Sequence, residues 1–515
     1  MRFINKKIFN SRKKYIVLVS IFILITIVLL MPIFNGSNSK NLRKLGYKEI
    51  SGSNYEVGYQ LAKLQYKRFR NWEMSACKLF SGDYGKALRL AFEFQVTRVL
   101  ENFPGLIREW QGIADAAKVS FDDIAVMMIG EKTIRRIAGL SISDDDIDDQ
   151  FEACSAFGIT HSDRGPILGK TSDGHAFPEN PKIYDDDYVE ILDYADSYKI
   201  MMIGYAILND QGLAVGDANA HYYGTTHSGD GPGGKLAPII ARYCPNVDSA
   251  VSFIKKYQIS DDGRHFCLVD RFGKAAAVEK GPNDLINIRW GDSTGYVYIT
   301  NTSPSDSMRN HDSNNEEYRM NSDSRLANFE RMFSDSNFTF TFASAESIIF
   351  SHDSIGAICQ HGDRYDWQWH TNRSRLVLPA EGKIYFAARA CSTDSWHPCE
   401  NEWREYQLEI GSSIDLKPLV VYPERIKLHQ NYPNPFNVQT TISYELVNDV
   451  YVEISIYNIL GEKVRTLKDG YQRKGEYSII WDSKDKYGNE IASSIYYYQL
   501  KTNDIVLTKQ MTLIK

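Results

Sequence analysis

The sequence predicts a layered α+β domain, followed by a small β-sandwich and preceded by a hydrophobic segment. Three observations predict it. Residues from about 41 to 139 carry apolar side chains at helical spacing. From Cys154 to about Gly411, short runs of strand-forming residues alternate with turns, and a few helical stretches intervene. From about Leu419, short alternating strands succeed one another at the spacing of a small sandwich. The composition agrees with a globular chain: 43% of residues are apolar and 24% charged. A length of 515 residues suggests two to four domains. A net charge of -6 is mild for this size and argues against nucleic acid as the main partner. The 32 tyrosines hint at β-rich, extracytoplasmic material.

The elements follow in chain order. Met1 to Lys14 holds six basic residues and no acid, and Tyr15 to Phe34 is almost wholly apolar. That is a charged leader with a core long enough to span a bilayer as a helix. Two readings stay open for residues 1–40: a cleaved signal peptide, or a signal anchor that ties the chain to the inner membrane through residues 15–34. Both put the remainder outside the cytoplasm. Helices are predicted at Tyr55 to Phe69, Ala87 to Leu100, Leu106 to Lys118 and Phe121 to Ile129. The last has Asp122 and Asp123 in its first turn, where the helix dipole favours acids. Together, residues 41–153 read as a helical layer packed on a sheet.

A run of acids from Asp144 to Asp149 looks like an exposed, cleavable loop. Apolar alternation begins directly after it, at Cys154. The turn Ser162-Asp163-Arg164-Gly165-Pro166 leads to a second strand from Ile167 to Lys170, which ends at Asp173. A hairpin there brings Asp173 back beside Cys154, with Lys170 nearby. Further strands are predicted at Ile200 to Leu208, Leu213 to Val215, His265 to Val269, Ala275 to Glu279 and Gly295 to Thr300. Helices are expected at Val247 to Tyr257 and Ser324 to Phe333. This part, residues 154–415, is the predicted catalytic portion. In the tail, residues 420–515, strands are predicted at Thr440 to Leu446, Val450 to Tyr457, Gly475 to Trp481 and Ser494 to Leu500. The stretch Tyr432-Pro433-Asn434-Pro435-Phe436-Asn437 is a rigid, turn-rich entry to it.

Two resemblances are carried by these residues. From Gln430 to Lys515 the tail resembles the C-terminal sorting domain of the bacterial type IX secretion system and the immunoglobulin-like module of hook-capping proteins. The matching stretches are Asn431 to Asn437, Val452 to Gly461, Trp481-Asp482 and Ser494 to Tyr498. This resemblance implies export, with the secretion machinery as a partner, to the cell surface, the outer membrane or the medium. From about Gly52 to Cys399 the chain resembles the acyl-coenzyme A:6-aminopenicillanate acyltransferase branch of the N-terminal nucleophile (Ntn) hydrolases. Choloylglycine hydrolases and penicillin V acylases are more distant relatives. The landmarks are Gly52 to Gly58, Gln211 to Gly216, Val269 to Gly273 and Thr300-Asn301-Thr302, ordered around Cys154. The fold this implies is a four-layer αββα Ntn domain followed by an Ig-like sandwich.

The resemblance also implies roles. Cys154 becomes the nucleophile, exposed by autoproteolysis of the Ala153–Cys154 bond. A backbone amide nitrogen is no base, whereas a free α-amine with a reference pKa of about 8 can take the thiol proton. Asp173 holds that amine, its carboxylate favouring the ammonium form. Asn301 supplies an oxyanion N–H. Lys170 stands where the choloylglycine branch carries arginine; it brings charge without the planar fork. Arg325, within Ser322-Asp323-Ser324-Arg325, is a candidate charge partner for the site or the substrate, against the bland reading of a helix-surface arginine. Asp173 and Asn301 have bland readings as turn residues, Lys170 as an exposed strand lysine and Cys154 as a buried structural thiol. His361 and Arg375 carry no assigned role. His221 and His175 show no spacing of a zinc site, so no metal and no cofactor is expected. Cys391 and Cys399 are candidates for a disulfide outside the cytoplasm.

The favoured function is an exported, self-processing cysteine amidohydrolase or acyltransferase acting on a small-molecule amide or acyl substrate. It would act on carbon–nitrogen bonds other than peptide bonds. One alternative is a surface binding or adhesive protein on an inactive Ntn fold, whose mark is an uncut Ala153–Cys154 bond. Another is an unprocessed cysteine peptidase using Cys154 with a histidine such as His221.

Overall fold

The structure is a computed structural model. It describes residues 47–64, 75–82, 84–140, 153–175, 189–204, 206–220, 222, 236–257, 263–281, 285–312, 316–354, 356–360, 369–388, 399, 402–411, 426–503 and 505–515. The hydrophobic segment 15–34, the acidic loop 144–149, His221, His361 and Cys391 lie outside the described residues, as does the side chain of His175. No helix among the described residues is long and apolar enough to cross a membrane.

Four layers stack in the order helix, sheet, sheet, helix. The first helical layer holds Asn54–Leu64, Ser75–Ser81, Gly85–Asn102, Pro104–Ala117, Phe121–Ile129 and Glu131–Ile137. Phe121–Ile129 begins where the sequence predicts, because the Ser120 hydroxyl accepts the Asp123 N–H at 3.1 Å as an N-cap. Val57, Trp110, Ile113 and Ile124 of this layer share one core with Ile207, Val215, Leu268 and Val278 of the first sheet. Helices Leu236–Tyr243 and Val247–Lys256 join the same core.

The first sheet has eight strands, in the order Tyr47–Gly52, Val189–Tyr194, Ile200–Ile203, Ala206–Asn209, Leu213–Asn219, Arg264–Asp270, Ala275–Lys280 and Ile286–Trp290. Its first pair is parallel. The single strand expected at Ile200 to Leu208 is two, paired in a tight hairpin. Gly204, at φ +61°, takes the left-handed conformation that the reversal needs. Apolar residues on both sides of the turn hid it in the sequence.

The second sheet runs Tyr296–Ile299, Ala153–Ile159, Ile167–His175, Trp369–Leu378, Lys383–Ala388 and Arg404–Gln407. It meets the first sheet closely at Gly158, where an added Cβ would come within 2.6 Å of Val269 Cγ2. Its outer face packs Phe157, Ile159 and Ile167 against Phe329 and Phe333 of helix Glu316–Phe333 and Ile348 of helix Phe342–Ile349. Tyr296 and Phe333 stack there with ring centroids 4.3 Å apart.

Residues 426–515 form two further sheets around their own core. The three-stranded sheet holds Lys427–Leu428, Thr440–Leu446 and Gly475–Trp481. The four-stranded one holds Lys463–Gln472, Val450–Asn458, Ser494–Lys501 and Val506–Leu513. Lys427–Leu428, Lys463–Gln472 and Val506–Leu513 are strands that the sequence reading missed. Lys463–Gln472 is polar and at most half-buried, so its apolar alternation is weak. The sandwich leans on helix Gly85–Asn102. Thr508 N–H donates to Thr97 Oγ1 at 2.8 Å, Gln499 Nε2 donates to Glu93 Oε2 at 2.7 Å, and Phe94 meets Tyr497 edge-on at 5.6 Å.

Candidate active site

The predicted hairpin exists, and its register is specific. Ala153 pairs with Asp173, Cys154 with Ser172, and Ala156 with Lys170. Because side chains alternate across a strand, the hairpin sorts its chemistry onto two faces. Cys154 and Lys170 point between the sheets, where Gly216 of the first sheet faces Ala156, Leu168 and the Lys170 stem. Asp173 shares the opposite face with Ser155, toward helix Glu316–Phe333. The thiol and the carboxylate are therefore neighbours in register but lie on opposite faces. In register, Asp173 stands across from Ala153, the residue whose carbonyl is bonded to the Cys154 nitrogen.

Cys154 is 3% exposed, and both of its backbone groups are gripped. Its N–H donates to Asn301 Oδ1 at 2.8 Å. Its carbonyl accepts from Arg325 Nη1 at 2.6 Å. Arg325 reaches on to Ser155 Oγ at 2.7 Å and to Asn301 Oδ1 at 2.9 Å. Arg325 is 1% exposed, which overturns the helix-surface reading. It lies on helix Glu316–Phe333, whose inward face the polar run Ser322 to Arg325 disguised.

Two donors converge on Asn301 Oδ1, so the carbonyl end of this amide must face Cys154. Its Nδ2 donates to the Asn219 carbonyl at 2.9 Å. The oxyanion N–H predicted for Asn301 thus competes with Asn219, and its acceptor end is the part turned to the Cys154 nitrogen. The Thr300-Asn301-Thr302 loop is clamped by the motif that carries Arg325. Thr302 N–H donates to Ser322 Oγ at 2.8 Å, Ser322 Oγ donates to Thr300 Oγ1 at 2.9 Å, and Thr302 Oγ1 donates to Asp323 at 2.7 Å. Behind the loop, buried His265 is hydrogen-bonded through Nδ1 to the Thr300 carbonyl at 2.8 Å and through Nε2 to the Tyr222 hydroxyl at 2.8 Å. Burial lowers its pKa, so it sits as neutral imidazole.

Asp173 is 2% exposed and accepts from Thr371 Oγ1 at 2.7 Å and from Gln360 Nε2 at 2.9 Å. Burial pushes its carboxyl up to about 6, against the opposing pull of Arg325, Thr371, Lys170 and Gln360. Lys170 is fully buried, not an exposed strand lysine, and its Nζ donates to the Thr171 carbonyl at 2.8 Å. Arg375 stands opposite Lys170 on Trp369–Leu378, also fully buried, and donates from Nη1 to Ser172 Oγ at 2.8 Å. The strand pairing therefore recruits Arg375, to which the sequence assigned no role. Gln360 and Thr371 were missed outright. Neither residue type signals chemistry, and only the folded sheet brings them to Asp173.

The layer order, helix, sheet, sheet, helix, is the αββα order expected from the sequence. Residues 160–388 match the family model of the acyl-coenzyme A:6-aminopenicillanic acid acyl-transferase, and residues 430–514 match that of the secretion system C-terminal sorting domain. The first match takes in Lys170, Asp173, Asn301 and Arg325 and begins after Cys154. The sorting domain marks the protein for export by type IX secretion, to the cell surface or the medium. Solved structures similar to the chain include penicillin V acylase from Agrobacterium tumefaciens. That pair is 17% identical with a TM-score of 0.28, covering 46% of this chain and 83% of the acylase. A conjugated bile acid hydrolase from Clostridium perfringens is 12% identical with a TM-score of 0.23, covering 52% of this chain and 92% of that one. PorU from Porphyromonas gingivalis is 16% identical with a TM-score of 0.16; the match covers 28% of this chain and only 12% of PorU. No curated protein matches the chain.

Proposed function

We propose that this exported protein processes itself at Ala153–Cys154 and then cleaves a linear amide through the N-terminal cysteine. The observation that carries the reading is the socket around one residue: Asn301 Oδ1 takes the Cys154 N–H while Arg325 takes the Cys154 carbonyl. Strand Tyr296–Ile299 pairs only as far as Ala156, so at Cys154 these two side chains take the place of a neighbouring strand. On a chain that begins at Cys154 the same two contacts would aim the α-amine.

In processing, Cys154 Sγ attacks the Ala153 carbonyl carbon, and the peptide nitrogen leaves as the new α-amine. Water then hydrolyses the thioester to release the Ala153 carboxylate. In turnover, the α-amine, held by Asn301 Oδ1 and the nearby Asp173 carboxylate, takes the thiol proton. The sulfur adds to the substrate carbonyl, and the donor end of Asn301, beside Asn219, is where we place the oxyanion. Collapse expels the amine with the proton from the ammonium group. Water hydrolyses the acyl-thioester; a second amine in its place would make the reaction an acyl transfer. Lys170 and Arg375 add positive charge on the thiol face. The chains 41–153 and 154–515 would stay together, since strand Tyr47–Gly52 pairs with Val189–Tyr194 and both chains fill one core.

The test is intact-mass spectrometry of the exported protein beside its Cys154→Ala variant. Two fragments split before Cys154 in the wild type, and one uncut chain in the variant, are expected. One uncut, folded chain in both would sink the mechanism and move the binding-protein reading ahead.

A further inference from the structure

A second cluster of reactive groups lies outside the chemistry just described. Cys359, Cys399 and His352 come together from separate stretches, and one donor atom from each lies within 4.8 Å of the others. Cys359 is buried, Cys399 half-buried and His352 exposed, so the cluster has a floor and an open mouth. The two sulfurs are not joined to each other by a disulfide. A disulfide would account for two sulfurs side by side, but not for an imidazole nitrogen aimed into the same small volume. A tetrahedral centre accounts for all three. With metal–sulfur bonds of about 2.3 Å and metal–nitrogen bonds of about 2.0–2.1 Å, its donor atoms sit roughly 3.5–3.8 Å apart. Closing on an ion would draw the donor atoms together by roughly 1 Å.

We propose that Cys359, Cys399 and His352 form a site for a borderline-soft divalent cation, Zn2+, with water in the fourth position. Two thiolates and one imidazole are the donor set such an ion selects, whereas hard cations want oxygen. The consequence lies one residue away. Cys359 N–H closes a loop onto the Ser351 carbonyl at 3.1 Å, and Gln360 follows directly. Gln360 N–H donates to Thr371 Oγ1 at 2.8 Å, its carbonyl accepts the Thr371 N–H at 2.9 Å, and its side chain holds Asp173. An ion on Cys359 would pin the segment that backs the Asp173 carboxylate. The sequence shows no zinc motif because the three donors are widely and unevenly spaced, and the fold alone collects them.

The experiment uses the exported chain, fully reduced, without a histidine tag, in a Cys154→Ala background so that the nucleophile cannot bind the metal. Zn2+ is titrated against a chromophoric chelator, and Co2+ is added separately to read the thiolate-to-cobalt charge-transfer absorption. One tightly held ion per chain and a charge-transfer band are expected. Cys359→Ser and Cys399→Ser should abolish the band, and His352→Ala, at an exposed position, should weaken affinity at least tenfold. Failure of the reduced, folded protein to take up Zn2+ would overturn the proposal. So would binding and absorption unchanged in Cys359→Ser and His352→Ala. A Cys359–Cys399 disulfide that, once reduced, leaves a protein unable to bind the ion would overturn it in favour of a covalent clamp. None of these outcomes depends on self-processing.

Discussion

The two β-structured regions of this molecule bury different things. In the four-layer domain, Lys170, Asp173, Asp217, Arg264, Glu279, Arg325 and Arg375 are all buried. In the tail, no described residue from 426 onward is both charged and buried; its core is Ile442, Val452, Ile454, Ile456, Trp481, Tyr498 and Leu500. Burying a charge is costly unless it is paired, and a paired charge gains little over an apolar replacement. The first region's interior is thus arranged for something other than stability, and the tail's interior for stability alone. Mutations should separate the two.

The largest effect is expected at Arg325. Arg325→Ala strands the Cys154 carbonyl, Ser155 Oγ and Asn301 Oδ1, and removes a cation from buried Asp173. We expect a loss of about 3–5 kcal/mol in chemical denaturation and no fragment split before Cys154 by mass. Processing at the wild-type rate in this variant would break the contrast. In the tail, Trp481→Ala should cost about 3–5 kcal/mol of tail stability. Trp481 is fully buried, packs on Phe436 at 5.8 Å, and donates from its indole N–H to the Lys484 carbonyl at 3.0 Å. Self-cleavage should proceed as in the wild type. Asn301→Ala is expected to lower the single-turnover acylation rate about 10²–10³-fold, with a smaller change in the unfolding midpoint.

Asp173 gives a pH signature. Its carboxyl is raised by burial from 3.8 to about 6, so between those values the unfolded chain has lost its proton while the folded one keeps it. Its contribution to stability is therefore fully present below pH 3.8 and is lost as pH rises through about 6. In the uncut Cys154→Ala chain, Asp173→Asn should become steadily more stable relative to its parent across that window. A flat difference would mean that the carboxylate is better compensated than its burial implies. The smallest effect belongs to the seam between the regions. Lys509 pairs with Glu101 at 2.9 Å, on a partly exposed surface, and Lys509→Ala should cost roughly 0–1 kcal/mol.

How legible each part was follows from the same contrast. In the tail, alternation of apolar and polar residues marks one buried face, so four of its strands were readable to within a residue or so. Of the three missed strands, Lys427–Leu428 is only two residues long, and Lys463–Gln472 and Val506–Leu513 are sheet edges with less regular alternation. Asn431 opens the stretch that resembles the sorting domain, and it is buried there, bonded to Thr440 Oγ1 at 2.9 Å. In the four-layer domain, a hairpin turn within 15 residues of Cys154 fixed the approach of Asp173, a local event. The side on which each group lies depended on register, and one step of register exchanges the faces.

The sequence by itself determined the order of helical, stranded and sandwich regions, the Cys154–Asp173 hairpin and the export signal in the tail. Local periodicity, turn residues and short motifs encode these within a few tens of residues. Only the tertiary structure decided that Arg325 is buried, that Asn301 turns its carbonyl to the Cys154 nitrogen, that Gln360 and Thr371 hold Asp173, and that Cys359, Cys399 and His352 meet. Those contacts join residues separated by up to about two hundred positions. They form when layers stack and strands take register, and no local pattern of residues specifies that step.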